Sequence, residues 1–285
     1  ILNTVLDPVF MFVFNMGIAG AAWATVISEI VSALLLAYYF TRFKTVKFQL
    51  KDFIPKLEFV KVIVSLGIAS FIFQFSTTII QITTNNLLKK YGSMSVYGSD
   101  IPIAVAGIVA KINVIFIAIL LGLTQGAQPI AGFNYGAKKY KRVKEALYKG
   151  IFAATIICLI GYTSVRLFSD SLIHIFTNKP ELKEIAKYGL KAYTLVFPIV
   201  GFQIVSSIYF QAVGKPKMSF FISLSRQIIV MIPCLIILPI FFGLNGIWYA
   251  APTADSIATL ITFILVRREI KKLDKLEEML EKRDV

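Results

Sequence analysis

The sequence has few charged residues for its length and few of the residues that build enzymatic or metal sites. Charged side chains make up 16% of the 285 residues, against about 25% in ordinary soluble domains. The only histidine is His174, and Cys158 and Cys234 both lie inside apolar runs. A structural zinc site needs about four such ligands, and the glycine-rich stretch Gly132–Gly136 lacks the Gly-Lys-Ser/Thr ending of a phosphate loop. We therefore expect neither an enzyme nor a metal, cofactor or disulfide site.

Long hydrophobic runs dominate what remains. Hydrophobic residues make up 57% of the chain, and the mean hydropathy is +0.75. A helix needs about 20 apolar residues to cross the bilayer core, because its backbone groups must be satisfied within the segment. Residues Val62–Leu88 and Ala192–Gly214 each reach this length without one charged residue. The sequence therefore predicts an all-α, polytopic membrane helix bundle.

The apolar runs predict seven complete membrane spans and part of an eighth. Residues 1–14 have the pattern of a helix end, and Gly17–Gly20 that of a tight turn. The complete spans are expected at residues 21–40, 62–88, 101–127, 145–168, 188–213, 217–242 and 246–266. For the charged tail 267–285 we expect either a helix on the membrane surface or a solvated terminal helix.

The basic residues lie mainly on one side of these spans. The net charge is +14, and segments 41–61, 137–149, 214–217 and 267–285 hold 21 of the 30 Lys and Arg residues. Alternating spans place all four segments on the same side, which the positive-inside rule makes cytoplasmic. This predicts a multi-pass cell-membrane protein with a cytoplasmic C-terminus. Nucleic-acid binding is not expected, because no soluble module is left to carry it.

Two segments 226 residues apart resemble each other. Residues Gly17–Glu29 and Gly243–Asp255 share two glycines, an alanine, an aromatic residue and a terminal acidic residue at matching positions. Membrane transporters are commonly built from two related bundles with the substrate path between them. The repeat predicts that most of a first bundle lies upstream of residue 1. The chain would then be a fragment, and its partner would be the N-terminal bundle of the same protein.

Four ordered motifs make the chain resemble the multidrug and toxic compound extrusion (MATE) transporters, and their MepA-like bacterial branch in particular. They are Asn3–Glu29, Gly122–Ala137, Phe210–Lys217 and Gly243–Ser256. The resemblance runs from the fifth to the twelfth family helix. It implies two six-helix bundles, alternating access, and export of cationic or amphiphilic compounds in exchange for Na⁺ or H⁺.

On this basis the chain divides into four predicted regions. Residues 1–40 end the first bundle, with a partial fifth and a full sixth family helix, and residues 41–61 form a basic cytoplasmic linker. Residues 62–266 form the second six-helix bundle, and residues 267–285 form the tail. Many family members carry a coupling acid in the seventh or tenth helix. The corresponding spans, 62–88 and the membrane part of 188–213, contain no Asp or Glu, so the resemblance does not assign the coupling ion.

Polar residues recur at steps of three or four along the span 62–88, which places them on one helix face. They are Ser70, Gln74, Thr77, Gln81, Thr84 and Asn85. Uncompensated amides in hydrocarbon are costly, so this face should meet water, ligand or another helix. We favour a cavity wall over helix packing, because the stripe is too long for one packing contact. For the shorter stripe Gln203, Ser207 and Gln211, packing and cavity both stay open.

Four charged residues fall inside predicted spans, namely Glu29, Lys111, Arg226 and Asp255. A charge at the centre of a membrane helix costs at least about 2.5–3.5 kcal/mol, which makes each a functional candidate. A structural salt bridge is the alternative. Counting depth at about 1.5 Å per residue favours Lys111 as the partner of Asp255, while Arg226 has the longer reach.

These observations favour a drug or toxic-metabolite antiporter. One alternative is a lipid-linked precursor flippase of the wider exporter superfamily, which should need a strongly basic groove for pyrophosphate. The other is a membrane scaffold without transport, which would have no reason to keep amides facing a cavity. The neutral stripe on the span 62–88 favours export.

Overall fold

The described residues of this computed structural model form helices and no strand. They are residues 1–42 and 56–282, without the side chains of residues 59, 61–63, 65–70 and 281. The helices are α1 (Leu2–Val13, ending in a π-helical turn), α2 (Gly17–Thr41), α3 (Leu57–Ser93), α4 (Asp100–Gly136), α5 (Tyr140–His174), α6 (Pro180–Tyr193), α7 (Phe197–Ala212), α8 (Pro216–Phe242, with a π-helical turn at Ser225–Met231) and α9 (Leu244–Glu281).

The helix lengths confirm an all-α membrane protein with several spans. Five helices are long and apolar enough to cross a membrane, and α6 with α7 would make a sixth; this count covers the described residues and leaves α3 open. The predicted span 188–213 is not one straight helix. It starts earlier, at Pro180, and bends by 52° between α6 and α7. Pro198 lies just after the break and has no N–H to continue the helix across it.

The chain divides into two compact units, Ile1–Val64 and Ser65–Val285. In the first unit, the side chain of Asn3 joins the two helices, because its Nδ2 lies 3.2 Å from Thr25 Oγ1. Residues 43–55, most of the predicted basic linker, lie outside the described residues. The four-region division therefore stays a prediction.

The two repeated sequence segments also share a backbone geometry. Gly17 and Gly243 begin their segments with φ of +55° and +57°, a conformation that glycine adopts without strain. Three residues later, a Cβ on Gly20 would lie 2.7 Å from the backbone of the preceding helix, and one on Gly246 would lie 2.4 Å from it. Each segment thus begins at a glycine with a positive φ and continues as a helix that closely crosses the preceding one. This agreement supports the internal repeat. The tight turn predicted at Gly17–Gly20 was wrong, because these residues form the first turn of α2.

Two clusters of buried side chains hold the second unit together. One lies towards the α3–α4 turn and the α8–α9 turn, and includes Leu88, Val105, Leu190, Leu235 and Trp248. The other lies towards the basic ends of the helices, and includes Leu120, Leu147, Phe210, Ile222 and Leu273. Many other large apolar side chains are exposed, as expected of a bundle whose outer surface meets lipid.

The described part of the C-terminal segment, residues 267–282, does not form a separate helix. It continues α9 to Glu281, with Leu273 fully buried. Lys144 Nζ lies 2.6 Å from Asp274 Oδ1 and 2.7 Å from Glu277 Oε2. Ile270 and Leu273 therefore pack on the bundle, and ion pairs beside them hold the segment there.

Another ion pair joins the same end of α9 to the start of α8, where Lys215 Nζ donates to Glu269 Oε1. Together, the contacts of Lys144 and Lys215 bring three of the four predicted basic segments to one end of the bundle. They agree with the predicted alternation of the spans. Which side of the membrane this end faces stays a prediction.

The small residues on one face of α4 do not serve close helix packing within the described residues. Ala104, Gly107, Ala118 and Gly122 are all exposed, and a Cβ on either glycine would meet no atom within 4 Å. Close packing instead occurs at Gly201, where a Cβ would lie 2.9 Å from the carbonyl oxygen of Ala154. Small residues permit close approach, but they show it only where a second helix lies over them.

Candidate functional site: a polar cavity between α4, α7 and α8

A cavity of about 680 Å³ lies within the second unit, with α4, α7 and α8 as its walls. This volume lies within the usual range for small-molecule sites, about 300–1,000 Å³. Phe73 of α3 and Tyr193 of α6 complete the lining. The other polar lining residues are Asn113, Gln203, Ser207, Gln211, Ser219, Ser223, Arg226 and Gln227. A lining this polar is unusual in the interior of a membrane bundle, where unpaired polar groups are costly.

Short connections bring the polar faces of α7 and α8 together. Gly214 adopts a positive φ of +73° in the turn between them, so the two helices run antiparallel side by side. Ser207 Oγ lies 3.0 Å from Ser219 Oγ and 3.2 Å from Ser223 Oγ. These hydroxyls form one hydrogen-bonded patch on the cavity wall. The same turn carries Gln211 to the cavity edge.

The structure places both glutamines of the α7 stripe on this cavity. Gln211 is exposed, while Gln203 is only 3% exposed. Gln203 Oε1 has no hydrogen-bond partner among the described residues. A buried amide oxygen without a partner costs free energy, so the packing alternative does not account for Gln203. A role for both residues in substrate binding stays a prediction.

Two of the four intramembrane charges form an ion pair. Arg226 Nε donates to Asp255 Oδ1, and the two side chains are 35% and 7% exposed. The depth argument that favoured Lys111 was wrong, and Lys111 is exposed on α4. Arg226 lies in the π-helical turn of α8. Such a turn holds more residues per unit of axial rise than an α-helix, so counting residues overestimated its depth. Glu29, in the first unit, is exposed.

The polar stripe on α3 does not line this cavity. Gln74, Thr77, Gln81 and Asn85 are exposed side chains of the described chain. Thr77 alone reaches a lining residue, since its Oγ1 lies 3.1 Å from Gln227 Oε1, and it borders a smaller cavity of about 170 Å³. The side chain of Ser70 lies outside the described residues. A substrate path along this stripe stays a prediction.

Sequence reasoning missed part of the cavity lining. Ser219, Ser223 and Gln227 follow one another at steps of four on α8, which is the spacing that identified the stripe on α3. The signal was therefore present on α8. Asn113 gave no such signal, because no other polar residue lies three or four positions from it on α4. Only the packing of the helices shows that it borders the cavity.

Comparison with known proteins supplies the family. The MatE family model matches residues 91–237, just over half of the chain. The multidrug export protein MepA of Staphylococcus haemolyticus (strain JCSC1435) is 25% identical over 266 residues, which are 93% of this chain and 57% of that protein. The chain thus spans little more than half the length of this curated relative.

Solved structures agree with the family match. An inward-facing multidrug resistance MATE family transporter of the MOP superfamily has a TM-score of 0.80 and 26% identity, over 96% of this chain and 62% of that one. The outward-facing conformation of such a transporter gives a TM-score of 0.78 and 26% identity, over 96% and 61%. Members of this family are transporters and not enzymes. As its four motifs predicted, the chain belongs to the MATE family.

Proposed function

We propose that this chain is part of an exporter of cationic or amphiphilic drugs or toxic metabolites, working by alternating access. The observation that carries the proposal is the polar cavity between α4, α7 and α8, which is open on one side and lies among otherwise apolar helices. Multidrug export is the named activity of the MepA relatives. Related proteins have been solved in both inward-facing and outward-facing conformations, as alternating access requires.

Lipid-linked precursor flipping is less well supported. A pyrophosphate group should need a strongly basic groove, whereas the described lining of the cavity has one basic side chain, Arg226. The proposed coupling ion is Na⁺ or H⁺. Imposing a Na⁺ gradient and a H⁺ gradient separately on vesicles that contain the protein would distinguish the two.

The exposed stripe on α3 should form a further part of the substrate path. We expect Gln74→Ala and Gln81→Ala to change the relative efflux rates of different dyes several-fold, because each removes an amide that would contact substrate. Efflux of a series of fluorescent dyes from cells that express the complete transporter measures this. Gln125→Ala, the same truncation at an exposed position on α4, is the matched control. Equal losses for every dye, in step with expression, would contradict the prediction.

The basic ends of the helices should face the cytoplasm. We expect a cysteine at Lys139 to react with a membrane-impermeant thiol reagent only after permeabilisation, and a cysteine at Ser99 to react in intact cells. Replacing Cys158 and Cys234 with alanine provides the background. The opposite labelling pattern would reverse the proposed orientation and place the C-terminus outside.

A further inference from the structure

Arg226 is the only charged residue among the described residues that line the polar cavity. Its partner, Asp255, is not part of the lining and is 7% exposed. A molecule in the cavity therefore meets the guanidinium of this ion pair and not its carboxylate. The described lining offers a cationic head group no carboxylate as a partner.

Most of the N–H donors of Arg226 have no partner among the described residues. A guanidinium carries five N–H donors, and the Nε donor is used by Asp255. Among the described residues, Asp255 supplies the only hydrogen-bond acceptor found for Arg226. Because the side chain is 35% exposed and lines the cavity, the two terminal nitrogens are accessible from it. Their planar arrangement fits a carboxylate or phosphate group.

Gln203 gives a second, independent indication of a ligand. Its side chain lies on α7, is 3% exposed, and has an amide oxygen without a partner in the described part of the chain. Whichever way the amide is turned, one of its polar groups is free to bond a molecule in the cavity. The site thus combines a cation on α8 with a neutral amide on α7.

The remaining walls of the cavity are apolar, and include Val114, Ile117 and Leu121 of α4 and Ile204 and Ile208 of α7. A ligand that matches both features has a hydrophobic body and one anionic group. A volume of about 680 Å³ suits a drug-sized or single-chain molecule.

We propose that this cavity binds amphiphilic compounds through an anionic head group, a carboxylate above all, with the terminal nitrogens of Arg226 as its receptor. Zwitterionic compounds belong to this class. The inference rests on the proposed function in one respect, namely that the cavity is a ligand site. Among the amphiphilic compounds of the proposed function, it selects those that carry an anionic group, zwitterions included.

Binding is measured apart from transport, so that the two proposals fail separately. The probe is 11-(dansylamino)undecanoate, titrated into the purified chain in a neutral maltoside detergent and followed by dansyl fluorescence. Its methyl ester and a dansyl-undecyl trimethylammonium compound are the neutral and cationic comparisons. We expect the carboxylate to bind at least about tenfold more tightly than either, because a charge-assisted hydrogen bond is lost in both.

The variants test the binding groups on Arg226 and Gln203. Arg226 and Asp255 are replaced together, so that neither is left as an unpaired buried charge. Arg226→Met combined with Asp255→Asn should remove the preference for the carboxylate, and Gln203→Met should weaken binding of the carboxylate several-fold. The matched control is Lys187→Met combined with Asp170→Asn, which removes an ion pair whose side chains are 42% and 73% exposed. Light scattering confirms that each variant is not aggregated, and a thermal unfolding curve confirms that it is folded.

Three outcomes would overturn the proposal. The first is equal or tighter binding of the trimethylammonium probe, and the second is a carboxylate preference that survives the double variant at Arg226 and Asp255. The third is displacement of the probe by phosphatidylglycerol at equal concentration in mixed micelles, which would assign the site to a phospholipid head group. If the carboxylate binds as expected but is never exported, the binding site stands and the transport proposal fails.

Discussion

Replacing Arg226 with methionine should destabilise the bundle by about 3–5 kcal/mol, the usual cost of leaving one member of a buried ion pair alone. Asp255 would keep a carboxylate that is 7% exposed and has lost its hydrogen-bond donor. Asp255→Asn should cost less, because the cation it strands is 35% exposed and borders the cavity. Urea unfolding of the purified chain in detergent measures both.

The double variant separates the effect of the ion pair on stability from the effect of the packing around it. Replacing both members of a buried pair with neutral residues is often nearly neutral for stability, so Arg226→Met with Asp255→Asn should be much more stable than Arg226→Met alone. If the double variant is as unstable as the single one, the loss comes from packing around Arg226. The ranking of the two single variants by stability would then say nothing about the cost of an unpaired charge.

Replacing Gly246 with alanine should cost about 3 kcal/mol, at the upper end of the usual range for overpacking. The added Cβ would lie 2.4 Å from the carbonyl carbon and oxygen of Leu238. Those are backbone atoms, so no side chain can rotate away to make room. Helices α8 and α9 would have to separate at this crossing. A lower midpoint of thermal unfolding in detergent is the expected result.

Gly122→Ala is the matched control, because a Cβ there meets nothing within 4 Å. Alanine is the better helix former by about 1 kcal/mol, so this variant should be as stable as the original or slightly more so. Gly20→Ala, at the matching position of the repeat, should again be destabilising, since its Cβ would lie 2.7 Å from the backbone of Phe10. Equal stability of the Gly246 and Gly122 variants would contradict the close helix crossing.

Features that depend on local pattern were predictable from the sequence. The apolar runs predicted the helices. The glycines of the repeat marked where α2 and α9 begin, which is where Gly17 and Gly243 adopt a positive φ. The four motifs predicted the family. Each of these signals lies within one segment, or in the order of several segments, so no knowledge of packing is needed to read it.

Features that depend on which helices touch were not predictable in the same way. Depth along a helix was a poor guide to the partner of Asp255, because the π-helical turn of α8 alters the register at Arg226. The tail was expected at the membrane surface or in solvent, but its described part continues α9, and Ile270 and Leu273 pack on the bundle. Periodicity identifies an apolar face and says nothing of what covers it.

The length of α9 has a mechanical consequence. The helix runs without interruption from Leu244 to Glu281, carries Asp255 near one end, and is held at the other by the contacts of Lys144 and Lys215. From Asp255 to Glu281 is about 39 Å at 1.5 Å per residue. Pro252 lies one turn before Asp255, where a missing backbone hydrogen bond lowers the resistance to bending. A tilt of about 10° at this point would move the far end by roughly 7 Å over that length. A small displacement beside the cavity would therefore become a larger one at the basic end of the bundle, where the contacts of Lys144 and Lys215 would have to yield to it.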